Sequence, residues 1–435
     1  MKFINNPLFL IILIVFIFSC TLKSNAQDYS LSELFSGLEQ NAVSKTDAIK
    51  LEQANVYKQS INSQFFPEID GFGRYDYSSI PAGLYPVPPN DLFQQIQNQD
   101  IAQPFSNHIF RMGAQISMPV FSKSLFTMAK QANQMVASAE AQQRINIIKN
   151  QAMVVAYNSN LQYVNNLYLA LEQKRESLLK TKDIITVKVN NGRAAGSLHY
   201  NIDNALNEIA LTQNELLLQK NELVANLFTM TGLDLKKAVA MSQIKTIQEK
   251  EIQATQSLKE KIQADELLLK SEREKLLPSL YLQGNYSYNL ADAYNNQVRV
   301  EGDWAMASVV LKIPVFNKSQ YSQIKRNKLL LSESENELEK LTNTFEAQAK
   351  QLEQNLVVLE NAIALSKNSI QNKKELQKIA VKSYEIGKMS IEDYLKYEDD
   401  LVLEQAKLFK TESLKWQTIT KLAIIYGVDL KNILE

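Results

Sequence analysis

The sequence predicts a mainly helical fold with a smaller β component, written as two copies of one unit. Each unit reads leading helix, strand, strand, long helix, returning helix. Three observations carry this prediction. A set of landmarks repeats at a constant spacing, two long segments lack both proline and glycine, and the proline-bounded windows between them alternate polar and apolar residues.

The duplication comes first, because a repeat missed is a fold misread. Met118-Pro119-Val120-Phe121-Ser122-Lys123-Ser124 returns as Ile313-Pro314-Val315-Phe316-Asn317-Lys318-Ser319. Gly192 returns as Gly387, and Thr231-Gly232-Leu233-Asp234-Leu235 as Tyr426-Gly427-Val428-Asp429-Leu430, each 195 residues on. Phe65-Phe66-Pro67 returns as Leu276-Leu277-Pro278, 211 residues on, so the first copy holds a surplus of 16 residues. That surplus falls in 79–107, with five prolines, and predicts a long surface loop. The two copies are expected to span 27–250 and 251–435.

Proline placement separates helix from strand. Apart from Pro7, every proline lies in 67–119 or 278–314. A proline inside a helix costs about 3 kcal/mol, so the remaining stretches are free to form long helices. Residues 122–190 lack proline and glycine and place Leu161, Val164, Tyr168, Leu171, Leu178, Ile185 and Val189 at heptad-like spacing, interrupted by Arg175 and Lys182. The segment 317–386 is equally unbroken. At 1.5 Å per residue each gives a helix of roughly 100 Å, which suits a rod or the wall of a tube. Returning helices run to about 230 and 425, and leading helices occupy 30–66 and 252–277.

The strand windows alternate with period two. One side of 110–118 collects Phe110, Met112, Ala114, Ile116 and Met118, and the other Arg111, Gln115 and Ser117. In 280–288, Leu280, Leu282, Tyr286 and Tyr288 oppose Gln283, Asn285 and Ser287. Windows 69–78 and 304–313 alternate less strictly. Ten-residue strands of this kind suit either a transmembrane barrel or a half-buried soluble sheet. In a barrel, Tyr75, Tyr77, Tyr286, Tyr288 and Trp304 would form an aromatic belt, while Arg111, Gln115, Gln283 and Asn285 would face water. Four strands cannot close a barrel, and an open edge in lipid leaves backbone groups unpaired. Several copies of the chain would therefore have to share one.

Composition removes other classes. Formal net charge is zero, from 47 basic and 47 acidic residues, which disfavours a nucleic-acid partner. Two histidines (His108 and His199) and one cysteine, Cys20, leave little for a metal centre or a catalytic triad. No phosphate loop, dinucleotide fingerprint or hydrolase motif occurs. No catalytic residue, metal or cofactor is expected. The first 26 residues read as a secretory signal: Lys2, the apolar run Leu8 to Phe18, and Ser24-Asn25-Ala26 before the cut. Ile17-Phe18-Ser19-Cys20 also loosely resembles a lipoprotein box, which would make Cys20 a lipid anchor.

The repeated order, the Pro-Val-Phe step at Pro119 and Pro314, and Tyr384-x-x-Gly387-x-x-Ser390-Ile391-x-Asp393-x-Leu395 together resemble the TolC-type outer membrane factor family over 28–435. The resemblance implies a homotrimer with a shared 12-stranded outer-membrane barrel, continued by an α-helical periplasmic tunnel. It implies an equatorial belt, here 234–250 with the two termini. It also implies an outer-membrane export channel of a tripartite efflux or type I secretion system. Such a channel works with a periplasmic adaptor and an inner-membrane pump of the RND or ABC class. Within the resemblance, Tyr384 matches a gate tyrosine and Asp393 the first of two constriction aspartates. Lys396 stands at the second aspartate position, and Met389 at a gate arginine position with Lys388 beside it. Gly192, Gly196 and Gly387 mark helical tips that would contact the adaptor. Glu398, Asp399 and Asp400 read as a solvated helix face, and His199 and Asp203 as ordinary surface residues. The competing reading is a periplasmic structural or adhesive coiled coil, which explains the helices but not the paired strands.

Overall fold

The structure, a computed structural model, describes residues 29–98 and 100–435. The secretory signal, its cleavage site and Cys20 lie outside the described residues.

The predicted order is the observed one. Helices α1 (Leu31–Gln40) and α2 (Ala42–Ser63) lead into β1 (Glu68–Gly83), α3 (Pro89–Gln97) and β2 (Phe105–Phe121). Then come α4 (Lys123–Asn190), α5 (Ser197–Thr231), α6 (Gln256–Glu274), β3 (Ser279–Asp292), β4 (Arg299–Lys312), α7 (Lys318–Glu385) and α8 (Ile391–Tyr426). The long helices α4 and α7 are both 68 residues, with bounds 195 residues apart at each end. The returning helices close on Gly232 and Gly427, both left-handed at φ 71° and 68°. A side chain is strained in that conformation, so glycine ends the helix at both copies.

Three expectations on element bounds are corrected. The first leading helix is broken at Asn41, whose extended backbone interrupts it and whose side-chain amide donates to the Thr229 carbonyl at 3.0 Å. The second begins only at Gln256. The strands run 14 to 17 residues, beyond the expected ten, because each is held along its length by a neighbour's ladder. The expected surface loop 79–107 therefore contains strand ends and the short helix α3.

The chain divides into two compact units, each drawing on both copies. One comprises residues up to 46, 145–254 and 345–435. Its principal core gathers α1, the middle of α4, the end of α5, the end of α8 and the tail. Helix α1 starts at a reciprocal cap: Ser30 Oγ accepts from the Glu33 amide, and the Glu33 carboxylate accepts from the Ser30 amide at 2.7 Å. It then buries Leu31, Leu34, Phe35 and Leu38, a spacing that places them on one face. Burying each is worth about 1.5–3 kcal/mol. The linker after α5 is pinned by Asn158, which donates to the Val239 carbonyl and accepts from its amide, both at 2.8 Å. Further along, the linker pairs with the C-terminal tail through Ser242 and Glu435.

The other unit comprises Asp47–Arg144 and Thr255–Thr344. It holds one antiparallel sheet in the order β1-β2-β3-β4. Strands β1 and β4 are its edges, each with one side unpaired among the described residues.

Candidate functional site

Two places in the chain carry functional potential: the helical turns after α4 and α7, in the first unit, and the sheet of the second.

The two turns share one design. At the end of α4, the Gly192 amide donates to the Val189 carbonyl at 2.9 Å and Arg193 to Lys188 at 2.8 Å. At the end of α7, Gly387 donates to Tyr384 at 3.1 Å and Lys388 to Ser383 at 2.8 Å. This is the crossed pair of bonds that satisfies the last carbonyls of a helix, and it needs positive φ at the glycine. Gly192 and Gly387 supply it, at 69° and 77°. Gly196 has ordinary right-handed geometry at the start of α5. Helix α8 is started by Ser390, whose Oγ accepts from the Asp393 amide at 3.0 Å and donates to its carboxylate at 2.8 Å.

Sequence-predicted residues separate here by burial. Lys388 and Asp393 are exposed beside the second turn. Tyr384 is buried, stacked on Tyr394 with centroids 5.5 Å apart. Lys188 stands 4.8 Å above the Tyr384 ring and donates to its carbonyl at 3.2 Å. Burial pushes the Tyr384 phenol up from its ordinary value, assisted by the Glu392 carboxylate. The acidic run 398–400 is not the uniformly solvated face expected. Glu398 is only 1% exposed, because positions 391, 394, 398 and 401 lie one helical turn apart and all face inward. Its carboxylate accepts from Tyr394 Oη at 2.8 Å, Ser177 Oγ at 2.7 Å and Gln377 Nε2 at 2.9 Å. Three helices, α4, α7 and α8, thus converge on one carboxylate. Burial also holds the Tyr394 phenol well above its usual range, keeping it a donor. Asp399 remains exposed and pairs with Lys174, and Asp203 pairs with Lys182 at 2.6 Å.

In the sheet, register assigns faces. Residues directly opposed in an antiparallel pair point the same way. One row reads Gly71–Ala114–Tyr286–Ala305, and the next on that face Gly73–Met112–Tyr288–Asp303. That face therefore carries Ile69, Tyr75, Phe110, Met112, Ile116, Leu282, Tyr286, Val309 and Leu311. The opposite face carries the row Asp70–Gln115–Asn285–Met306 and the row Glu68–Ser117–Gln283–Ser308. The sheet is thus mainly apolar on one side, with Asp303 and Glu301 toward one end of it, and largely polar on the other, and the apolar side is open, with Val309 65% exposed. Among the described residues, no helix is long and apolar enough to cross a membrane.

Register also corrects two side-chain expectations. Trp304 pairs with Ser287, so it lies on the polar face and not with Tyr75, Tyr77, Tyr286 and Tyr288. Arg111 is on the polar face as expected but does not simply meet water. Its guanidinium donates to Asp76 at 3.0 Å, Asn289 at 3.0 Å, the Gly83 carbonyl at 2.9 Å and the Leu84 carbonyl. No sequence signal marked this cluster, since its members lie on three strands and a loop. Pro119 sits within β2 opposite Tyr281, whereas Pro314 lies in the link after β4. The copies differ there because β2 has neighbours on both sides and β4 on one. Val315 and Phe316 are left 93% and 80% exposed.

No protein-family model matches the sequence, and no curated protein matches it. Solved structures do. The Campylobacter jejuni CmeC outer membrane channel superposes with TM-score 0.72 at 18% identity, over 92% of this chain and 85% of that one. The outer membrane protein VceC from Vibrio cholerae gives 0.72 at 12% identity, over 91% and 96%. The open state of the Neisseria gonorrhoeae MtrE outer membrane channel gives 0.70 at 11% identity, over 92% and 89%. The order of helices and strands expected from the sequence is the one found, and this chain shares the fold of these outer membrane channels.

Proposed function

We propose that this chain is one protomer of a homotrimeric outer-membrane export channel, a passive duct that draws its energy from partner proteins. The observation that carries this reading is a single sheet with one apolar face, one polar face and two unpaired edges. In water the apolar face and both edges are liabilities; in a bilayer the face is solvated by lipid and the edges require closure. Three copies supply twelve strands, enough for a barrel with a polar interior. Tyr75 and Tyr77, in the rows near Glu301, then sit at the lipid–water interface.

The duplication supplies a docking rule. Because β2 pairs with β3, the equivalent β4 pairs with β1 of the next copy. Matching the landmarks places Phe316 opposite the neighbour's Ile69, as Phe121 lies opposite Leu280 within the chain. Both Ile69 and Phe316 are exposed in the single chain and would be covered.

On this reading the long helices line a periplasmic tunnel, and the 234–250 connector with the two termini forms its equatorial belt. The turns at Gly192, Gly196 and Gly387 meet a periplasmic adaptor, which links the duct to an inner-membrane pump of the RND or ABC class. Exposed Asp393 and Lys388, together with the buried Tyr384, form the constriction that opens on engagement. Efflux and type I secretion both fit such a duct.

Membrane fractionation tests the reading. The protein is expected in the outer membrane and, extracted in mild detergent, to run as a trimer that heat converts to monomer. A soluble periplasmic monomer would overturn it in favour of the coiled-coil alternative.

A further inference from the structure

We propose that the loop between β1 and β2 folds back over the polar face of its own sheet and, in the assembled barrel, forms a second constriction at the outer mouth. This inference rests on the channel reading above. Its observations are local to the sheet. Arg111, Asn289 and Gly302 form one row across β2, β3 and β4 on the polar face. The segment Gly83–Tyr85 runs across that same row. Arg111 binds the Gly83 and Leu84 carbonyls, and the Tyr85 ring lies on Gly302 so closely that a Cβ there would collide with it.

The chemistry says this placement is specified. A guanidinium on a water-filled face would be solvated freely. Here it turns inward, with its side chain 17% exposed, and spends its donors on loop carbonyls, Asn289 and Asp76. A polar lumen wall also needs no apolar patch. Yet Ile109 and Ala291 occur at this end of the polar face and are covered by Leu84, which is fully buried. The loop is tied further to the β3–β4 turn. Asn295 donates to the Ile101 carbonyl at 3.0 Å and accepts from the Gln103 amide at 3.1 Å, while Tyr294 donates to Phe105 at 3.0 Å. A loop held by both hairpins on the lumen side narrows the passage, three times over in a trimer.

Polymer exclusion in planar bilayers tests this with the intact trimer. Polyethylene glycols of graded size are added only on the side that faces the loops, and the largest that alters conductance is recorded. Tyr85→Ala removes the ring, Gly302→Val occupies its seat, and replacing 86–103 by a short Gly-Ser turn removes most of the loop. The admitted polymer is expected to rise about two-fold in mass in each variant that retains the heat-sensitive trimer, since pore diameter sets what enters. The same size limit in wild type and all pore-forming variants would overturn the constriction and leave the channel standing. Absence of pores in wild type as well would overturn the channel, and the constriction with it.

Discussion

Asp393 and Glu398 lie five residues apart on α8 and do opposite things. Asp393 is exposed and held by Ser390, so its charge is free to act on the solvent around the turn. Glu398 is enclosed, and its charge is consumed by Tyr394, Ser177 and Gln377. A buried carboxylate is costly unless hydrogen-bonded, and this one is bonded from three helices. It is a structural tie, whereas Asp393 is the group that, on the proposed channel reading, would meet ions. Three copies around a narrow lumen would favour cations. The informative change is Asp393→Asn, which keeps an acceptor near the helix start while removing the charge. In bilayer recordings it is expected to lower cation preference and relieve block by divalent cations. Selectivity and block equal to wild type would take Asp393 out of the constriction.

Among the elements, the sheet makes the sharpest demand. Alternation on one strand cannot tell lipid from a soluble core; four strands in register gather the apolar residues on one open face, which the channel reading assigns to lipid. Ile116 and Gln115 are neighbours on opposite faces of β2, and Ile116 lies in the wholly apolar row Ile69–Ile116–Gly284–Ala307. In lipid, an arginine on the apolar face costs about 2–4 kcal/mol near the bilayer centre, and one on the lumen face costs little. Ile116→Arg is therefore expected to reduce the yield of assembled, heat-sensitive trimer, and Gln115→Arg to leave it near wild type. Equal yields for the two variants would argue that the apolar face meets something other than lipid.

At the scale of the whole molecule, the channel reading joins the duplicated sequence and the open edges into one rule of assembly. The chain pairs its own β2 and β3, and the same geometry one repeat later has no partner within the chain. The pair Ile69→Cys and Phe316→Cys is expected to form disulfides between copies under mild oxidation. Denaturing gels without reductant should then show covalent trimers, and either single variant should show none. Monomer alone in the double variant would contradict the docking of β4 on a neighbouring β1.

Much of this was legible in the residues. The spacing of 195 fixed both long helices, because proline and glycine act locally and their absence over 68 residues leaves the helix unopposed. The turn glycines were legible for the same reason: positive φ is a backbone constraint that one residue type meets cheaply. Folding decided what depends on several elements at once. Trp304 changed faces because register, not alternation within one strand, fixes direction. Glu398 became buried because α4 and α7 close over it. Arg111 left the water because a loop 27 residues upstream in sequence returned to it. Local propensity is written in neighbouring residues, whereas facing and burial belong to the elements that meet.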